Sequence, residues 1–340
     1  MLEQLDYQLV PNSIAAEPRE VRLGSRDLGR MLVVDRARGL LRDERVLGLD
    51  GLLDEGDVLL LNNSKRLPGV LKTRLTSGAQ VELRIVELRP NGACTARAYP
   101  THSISVGEVL TTAGGFTLRV EQIEVGPHRL IVATAEADLS EILRQDGLPI
   151  TSFFYRNYWS LQHYNPIYAS NEGSVESPLA GLHFTERLIE KLKHKGVVIA
   201  PLTLHVVGSW LPLTHEPTED ERGGAEPYNI PQSTVDAIDR AQDRGRRIIA
   251  VGSTSLRAVE SSAETTGSVV AGSGVSTLFL QPGSVFNVAT GYFTNFHQAR
   301  SSLIVLDAAF AGIKQVNAAY RHALENGYLF HEFGDAVLYV

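Results

Sequence analysis

The sequence predicts an α/β protein: a mixed sheet flanked by helices, with a small β-barrel inserted into it. Three observations predict this. An unbroken apolar run, Val58 to Leu61 in GDVLLLNNSKRLPG, reads as a buried strand that runs into a polar turn. From about Val70 to Glu136 the pattern changes to period two, with Val81, Leu83 and Ile85 alternating with Gln80, Glu82 and Arg84. LTTAGGFTLRVEQIE and PHRLIVATA follow, set off by Gly, Pro and Asn, and evenly spaced short strands without helical periodicity predict a small barrel. After Gly147 strands and helices alternate, which favours a sheet covered by helices. The chain therefore divides into residues 1–68 plus 147–340, a discontinuous α/β domain carrying the site, and residues 69–146, the inserted barrel.

The elements of the larger domain follow in order. Thr185 has the chemistry of an N-cap, Leu188, Ile189 and Leu192 form an apolar stripe, and Gly196 is a stop, so residues 185–195 form a helix. The apolar run VVIAPLTLHVV is the next strand. A helix from Thr234 to Arg244 stops at Gly245, the strand Ile248 to Val251 comes after it, and another helix opens around Ser253.

Composition sets the outer bounds. A chain of 340 residues is too long for one small core, which agrees with two domains. No segment approaches the roughly 18 apolar residues of a membrane span. The N-terminal MLEQLDYQLVPNS lacks the basic start and apolar stretch of a signal peptide, so the expected location is the cytoplasm. The single cysteine, Cys94, excludes an internal disulfide, and without CxxC or HExxH there is no thiolate zinc site; no metal is expected. A net charge of -7 gives no global attraction to phosphate backbones. A local basic face remains open to it, either Lys65, Arg66, Lys72 and Arg74 or Lys191, Lys193 and Lys195. The second group sits on the polar side of a helix and reads as solvated charge.

Three features point to a site. In IIAVGSTSLRAVES a strand passes through a small-residue turn into a helix, which leaves backbone N–H groups and a positive dipole end at Gly252 to Ser255. That turn suits a carboxylate or a ribose; equally, Ser253 caps the helix. It is neither a Walker motif nor a GxGxxG fingerprint. His183, His205 and His297 lie at strand or helix termini, where α/β proteins build their sites and where imidazole serves as a base near neutral pH. A hydrogen-bonded structural histidine is the alternative for each. His102, His128, His163, His194 and His322 read as surface or loop residues. Asn62 and Asn63, after the first buried strand, present donors and acceptors to a nucleoside or amino-acid group, or else form an Asx-turn.

At this point the residues resemble a known family, the S-adenosylmethionine:tRNA ribosyltransferase-isomerases of queuosine biosynthesis. The matching segments are GDVLLLNNSKRLPG, YNPIYA with GSV (Tyr164 to Val175), AGLHFTERLIEKL, TLHV, RIIAVGSTSLRAVES, the PG of LQPG, TNFH, AAFAG and FGDAVLYV. They run in family order over nearly the whole chain. The resemblance implies an α/β domain with an inserted barrel, and an enzyme that transfers the ribosyl part of S-adenosylmethionine to a 7-aminomethyl-7-deazaguanine in tRNA, releasing adenine and methionine. S-adenosylmethionine is the co-substrate, with no metal or further cofactor. On the retained segments the resemblance places substrate-binding residues Asn62, Asn63, Lys65, Tyr168, Gly252, Ser253, Thr254, Ser255, Arg257, Thr294 and Asn295.

Three segments depart from the family pattern. Where it carries DHxMHxE, this chain has Asp220, Glu221, Arg222, Gly223, Gly224, Ala225 and Glu226, so both histidines are absent. AAPTAG is replaced by Glu176, Ser177, Pro178, Leu179, Ala180 and Gly181, and LPPY by ITSFF from Ile150 to Phe154. GxGTF after TLHV has become Val207, Gly208, Ser209, Trp210 and Leu211. A rewritten acceptor side beside a retained nucleoside side points to a paralog that uses S-adenosylmethionine on a small-molecule acceptor, or in a cleavage without tRNA. A non-catalytic nucleoside-binding protein is the third reading. Proton transfer is assigned to Glu221 or Glu226 together with His183, His205 or His297.

Overall fold

The computed structural model describes residues 1–89, 92–100, 104–124, 130–150, 159–207, 213, 215–218 and 223–340. At its centre four parallel strands lie side by side in the order Val198–Leu204, Val58–Asn62, Ile248–Val251 and Gly291–Asn295. Every residue of Val58–Asn62 is buried, because both faces of a parallel sheet are covered and the strand must be apolar throughout. Strands of mixed direction flank this core. On one side stand Glu226–Ile230 and the edge strand Gly272–Ser276; on the other Ala336–Tyr339, Arg30–Asp35 and Leu40–Arg45 complete a nine-stranded sheet.

Side chains of the strands alternate between two apolar layers. Val58, Leu60 and Ile248 pack with Val235, Ile238 and Val259 of the helices Gln232–Asp243 and Gly252–Ala263. Leu59, Leu61, Ile249 and Val251 face Leu188 and Leu192 of the helix Glu186–His194, which Thr185 caps through its hydroxyl at 3.3 Å from the Leu188 amide. The strand Ile248–Val251 falls where the sequence places it. The helix expected from Thr234 begins two residues earlier, with Pro231 at its N-cap.

Six antiparallel strands, Val70–Leu75, Gln80–Leu88, Ala93–Tyr99, Leu130–Ala135, Thr117–Glu124 and Val109–Thr112, close into a barrel because the first also pairs with the last. Leu71, Leu83, Ile85, Leu110 and Leu118 fill it. The period-two reading passed over one element: the helix Leu139–Asp146, capped by Asp138, sends Leu139, Ile142 and Leu143 into the same core. From it Arg144 reaches Glu172 at 3.0 Å, which ties the barrel to the strand Asn171–Ser174 of the larger unit.

Candidate functional site

The parallel strands end on one edge of the sheet, where α/β proteins place their ligands. Asn62 and Asn63, His205, Gly252 to Ser255, and Thr294, Asn295 and His297 gather there from four separate stretches of the chain. Glu226 opens an antiparallel strand at the same edge and forms a buried ion pair with Arg257, one turn into the helix Gly252–Ala263. The structure brings most of the expected residues together, but it uses them differently.

Asn62 is committed to the fold. Its Nδ2 donates to the Leu204 carbonyl at 2.9 Å, while its Oδ1 accepts from the Ser64 and Leu204 amides at 3.0 Å each. The bond to Ser64 is the Asx-turn alternative, and it leaves little for a ligand. Asn63 Oδ1 accepts from Thr203 Oγ1 at 2.7 Å and from Asn171 at 3.3 Å. Lys65 turns outward to Glu172 at 3.1 Å, and Tyr168 packs edge-on to Phe184 in the layer beneath the sheet. Arg66, expected on a basic surface, is instead buried: Nη1 donates to Ser177 Oγ at 2.9 Å, Nε to the Val175 carbonyl, and the guanidinium lies 4.7 Å above the Tyr164 ring. Lys191 pairs with Asp50 on the surface, as solvated charge does.

The turn at Gly252 holds φ near +86°, a conformation only glycine adopts without strain, and it aims the helix N-terminus into the edge. Ser253 does not cap this helix. The N-cap position is Val251 and no side chain closes the first turn. Thr254 Oγ1 and Ser255 Oγ are buried with no hydrogen-bond partner among the described residues. Two buried hydroxyls without partners among the described residues, at a helix N-terminus that no side chain caps, constitute a polar cradle.

The three expected histidines differ. His205 Nδ1 lies 2.8 Å from Ser64 Oγ, which is 2.6 Å from Ser174 Oγ, which in turn accepts the Val206 amide at 2.8 Å. The order of donation that uses each hydroxyl hydrogen runs from Ser174 to Ser64 to His205, which leaves the proton of the ring on Nε2. The ring lines an open groove of about 490 Å³ between the edge strands, with Pro227, Asn229 and Ser273. His183 is wholly enclosed; its Nε2 lies 3.1 Å from Arg19 and 3.3 Å from Asn295 Oδ1, and burial followed by the Arg19 charge holds it well below the usual imidazole range. His297 Nε2 meets Thr294 Oγ1 at 3.0 Å, and burial lowers it to about 3. Burial lowers His205 as well, so all three rings are neutral near neutral pH.

Sequence reasoning missed a second group at this edge. His331 and Glu332 lie on the turn before the last strand, beside Arg19, Arg66 and Glu176. Burial pushes Glu332 up to about 7, with Arg66 lowering and Glu176 raising it; burial lowers His331 to about 4. Glu176 is itself raised by burial, and burial lowers Arg19 to about 9. The available signal was a polar pair, His331-Glu332, set between apolar YLF and the FGDAV strand. Glu221, Trp210 and most of the Ile150 to Phe154 segment fall outside the described residues. Among the described residues no group of three or more His, Cys, Asp and Glu is arranged to hold a metal.

Residues 2–339 match the model of a family described as queuosine biosynthesis protein. A protein of Thermus thermophilus named S-adenosylmethionine:tRNA ribosyltransferase-isomerase is 38% identical, over 99% of this chain and 99% of its own. One of the same name from Desulforamulus reducens is 33% identical, over 100% and 99%. The crystal structure of an S-adenosylmethionine tRNA ribosyltransferase from Thermotoga maritima superposes with a TM-score of 0.56 at 30% identity, covering 99% of this chain and 100% of that one. The chain belongs to the queuosine biosynthesis protein family.

Proposed function

We propose that this chain is an S-adenosylmethionine-consuming tRNA ribosyltransferase-isomerase of the cytoplasm, which passes the ribosyl group to a 7-aminomethyl-7-deazaguanine in tRNA and releases adenine and methionine. One observation carries the reading: the unpaired Thr254 and Ser255 hydroxyls at the open N-terminus of the Gly252–Ala263 helix, set among the strand ends. In this reading they and the adjoining N–H groups hold the polar edge of the co-substrate. The relatives' shared name supplies the reaction. Residues 1–68 with 147–340 form the unit that carries the site, and residues 69–146 the inserted unit.

Neutral imidazoles suit a sulfonium substrate, because a protonated ring would repel it. His205 is the expected histidine best placed to meet a reactant, since it borders the groove while Ser64 steadies its far nitrogen. In this reading the groove beside His205 receives the tRNA base. His183 and Asn295 form a support beneath the site. Glu226 holds Arg257 in place rather than serving as a free base.

The test is incubation with S-adenosylmethionine alone and then with tRNA bearing the 7-aminomethyl base, following adenine and methionine. Release that depends on the tRNA, with binding that weakens steeply as salt rises, is the expected result. Release without tRNA overturns the acceptor assignment. Binding without release under either condition overturns the enzymatic one.

A further inference from the structure

We propose that Glu332 is the acid that protonates the departing purine. The inference rests on the reading above that S-adenosylmethionine is consumed. Its basis is a turn whose backbone is tied down while a carboxyl is left unpaired.

Residues 331–335 are clamped from several directions. Asn295 Nδ2 donates to the His331 carbonyl at 3.0 Å and to the Glu332 carbonyl at 3.4 Å. Arg19 donates to the Glu332 carbonyl at 3.4 Å and to the Gly334 carbonyl at 2.7 Å, and Arg22 to the Phe333 carbonyl at 3.1 Å. Asp335 accepts from the Arg30 and Leu329 amides at 3.0 and 2.8 Å. His331 is held at φ +71°, and a Cβ at Gly334 would lie 2.4 Å from the Leu329 carbonyl, so no other residue fits there. Backbone strain so thoroughly supported is characteristic of sites where a side chain must point one way.

What the turn presents is Glu332, whose Oε2 is buried and has no hydrogen-bond partner among the described residues. A buried, unpaired carboxyl oxygen in an otherwise satisfied turn calls for an explanation, and a ligand atom provides one. The charged and titratable groups facing it are Arg66 from the strand Ser64–Arg66, Glu176 from the loop after Asn171–Ser174, Arg19 from the helix Arg19–Leu23, and its neighbour His331. Glu176 and burial favour the protonated acid; Arg66 steadies the anion once the proton has gone.

The step balances without an oxidant or a metal. As the ribosyl C1′–N bond breaks, its electron pair leaves on the purine nitrogen, the lone pair of the sugar-ring oxygen makes up the deficit at C1′, and the Glu332 proton moves to the purine. The purine departs neutral, Glu332 is left as a carboxylate beside Arg66, and solvent returns the proton. A general acid of this kind contributes about 10²- to 10⁴-fold.

The experiment compares the full-length wild type with Glu332→Gln and Glu332→Asp. It measures S-adenosylmethionine binding by calorimetry, tRNA-dependent adenine release from pH 5 to 9, and the carboxyl C=O band by isotope-edited infrared. Glu332→Gln is expected to bind S-adenosylmethionine as the wild type does and to lose on the order of 10²-fold or more in adenine release. The wild-type rate should fall above a pH near 7, where the acid ionises, and Glu332→Gln should lack that limb. Glu332→Asp should recover part of the rate with the limb restored. The wild type should also show a protonated carboxyl band at neutral pH that Glu332→Gln lacks, a readout that survives even if the Gln variant turns over poorly for other reasons. An active wild type with an unaffected Glu332→Gln, or a rate loss with the alkaline limb and band intact, overturns this proposal alone. A wild type that releases no adenine overturns the earlier reading instead.

Discussion

The strand Gly291–Asn295 carries two histidine clusters, one on each face, and they are neutralised by different surroundings. On one face Asn295 and Phe293 meet His183, and the buried Arg19 guanidinium adds its repulsion to the effect of burial. On the other, Thr294 meets His297, and beyond it stands the buried carboxyl of Asp307, 3.7 Å from His297 Nε2. An anion there would favour a charged imidazole. Burial instead raises Asp307 well above the usual carboxylate range, while Tyr320 and Tyr339 donate to its Oδ2 at 2.9 and 3.4 Å. Burial thus favours the uncharged form of both partners. The contrast shows that depth of burial, more than the sign of the neighbouring residue, decides the charge of these rings.

The largest expected effect is on the Arg19 face. Arg19→Ala leaves the Gly334 carbonyl and His183 Nε2 without their donor and takes one of two donors from the Glu332 carbonyl, and should cost on the order of 3 kcal/mol of stability. Urea denaturation measures it. A loss under about 1 kcal/mol would mean that water replaces the guanidinium and that this face is no more committed than the other.

Asp307→Asn is the next probe. A carboxyl with a raised folded value binds its proton more tightly in the folded state, so its contribution is complete below the unfolded value and is lost as pH rises. Wild type should lose stability relative to Asp307→Asn as pH rises above the ordinary carboxylate range, and the two should converge at the acid end. Parallel stability curves across that range would show that Asp307 is ionised and paired with His297 after all.

Thr294→Val is the smallest, removing one hydroxyl from His297 Nε2 for about 1 kcal/mol. Thermal unfolding detects it. A shift as large as that of Arg19→Ala would make Thr294, and not burial, the main determinant on its face.

How much was legible depended on whether the information was local. The strand Val58–Asn62 could be read because four apolar residues in succession have no other use in an α/β sheet, and the helix after Thr185 because cap, stripe and stop agree. Leu139–Asp146 escaped notice because two turns of helix directly after a barrel strand are too short to establish a period. The strand-terminus rule pointed to the edge where His205 and His297 lie, while His183 is enclosed beneath it. The rule did not separate Asn62, whose hydrogen bonds are all used within the fold, from Ser255, whose hydroxyl has no partner among the described residues.

By itself the sequence determined the fold class and the strand and helix sequence around Gly252. Periodicity, caps and the small-residue turn act over neighbouring residues and are written into them. Only the tertiary structure decided which polar groups are satisfied and which are left for a ligand. Glu332 stands beside Arg66 and Glu176 because Arg19 and Asn295, distant in the chain, hold its turn by the backbone, and burial then sets its charge. Such selection depends on contacts between residues up to 315 positions apart, to which no local pattern gives access.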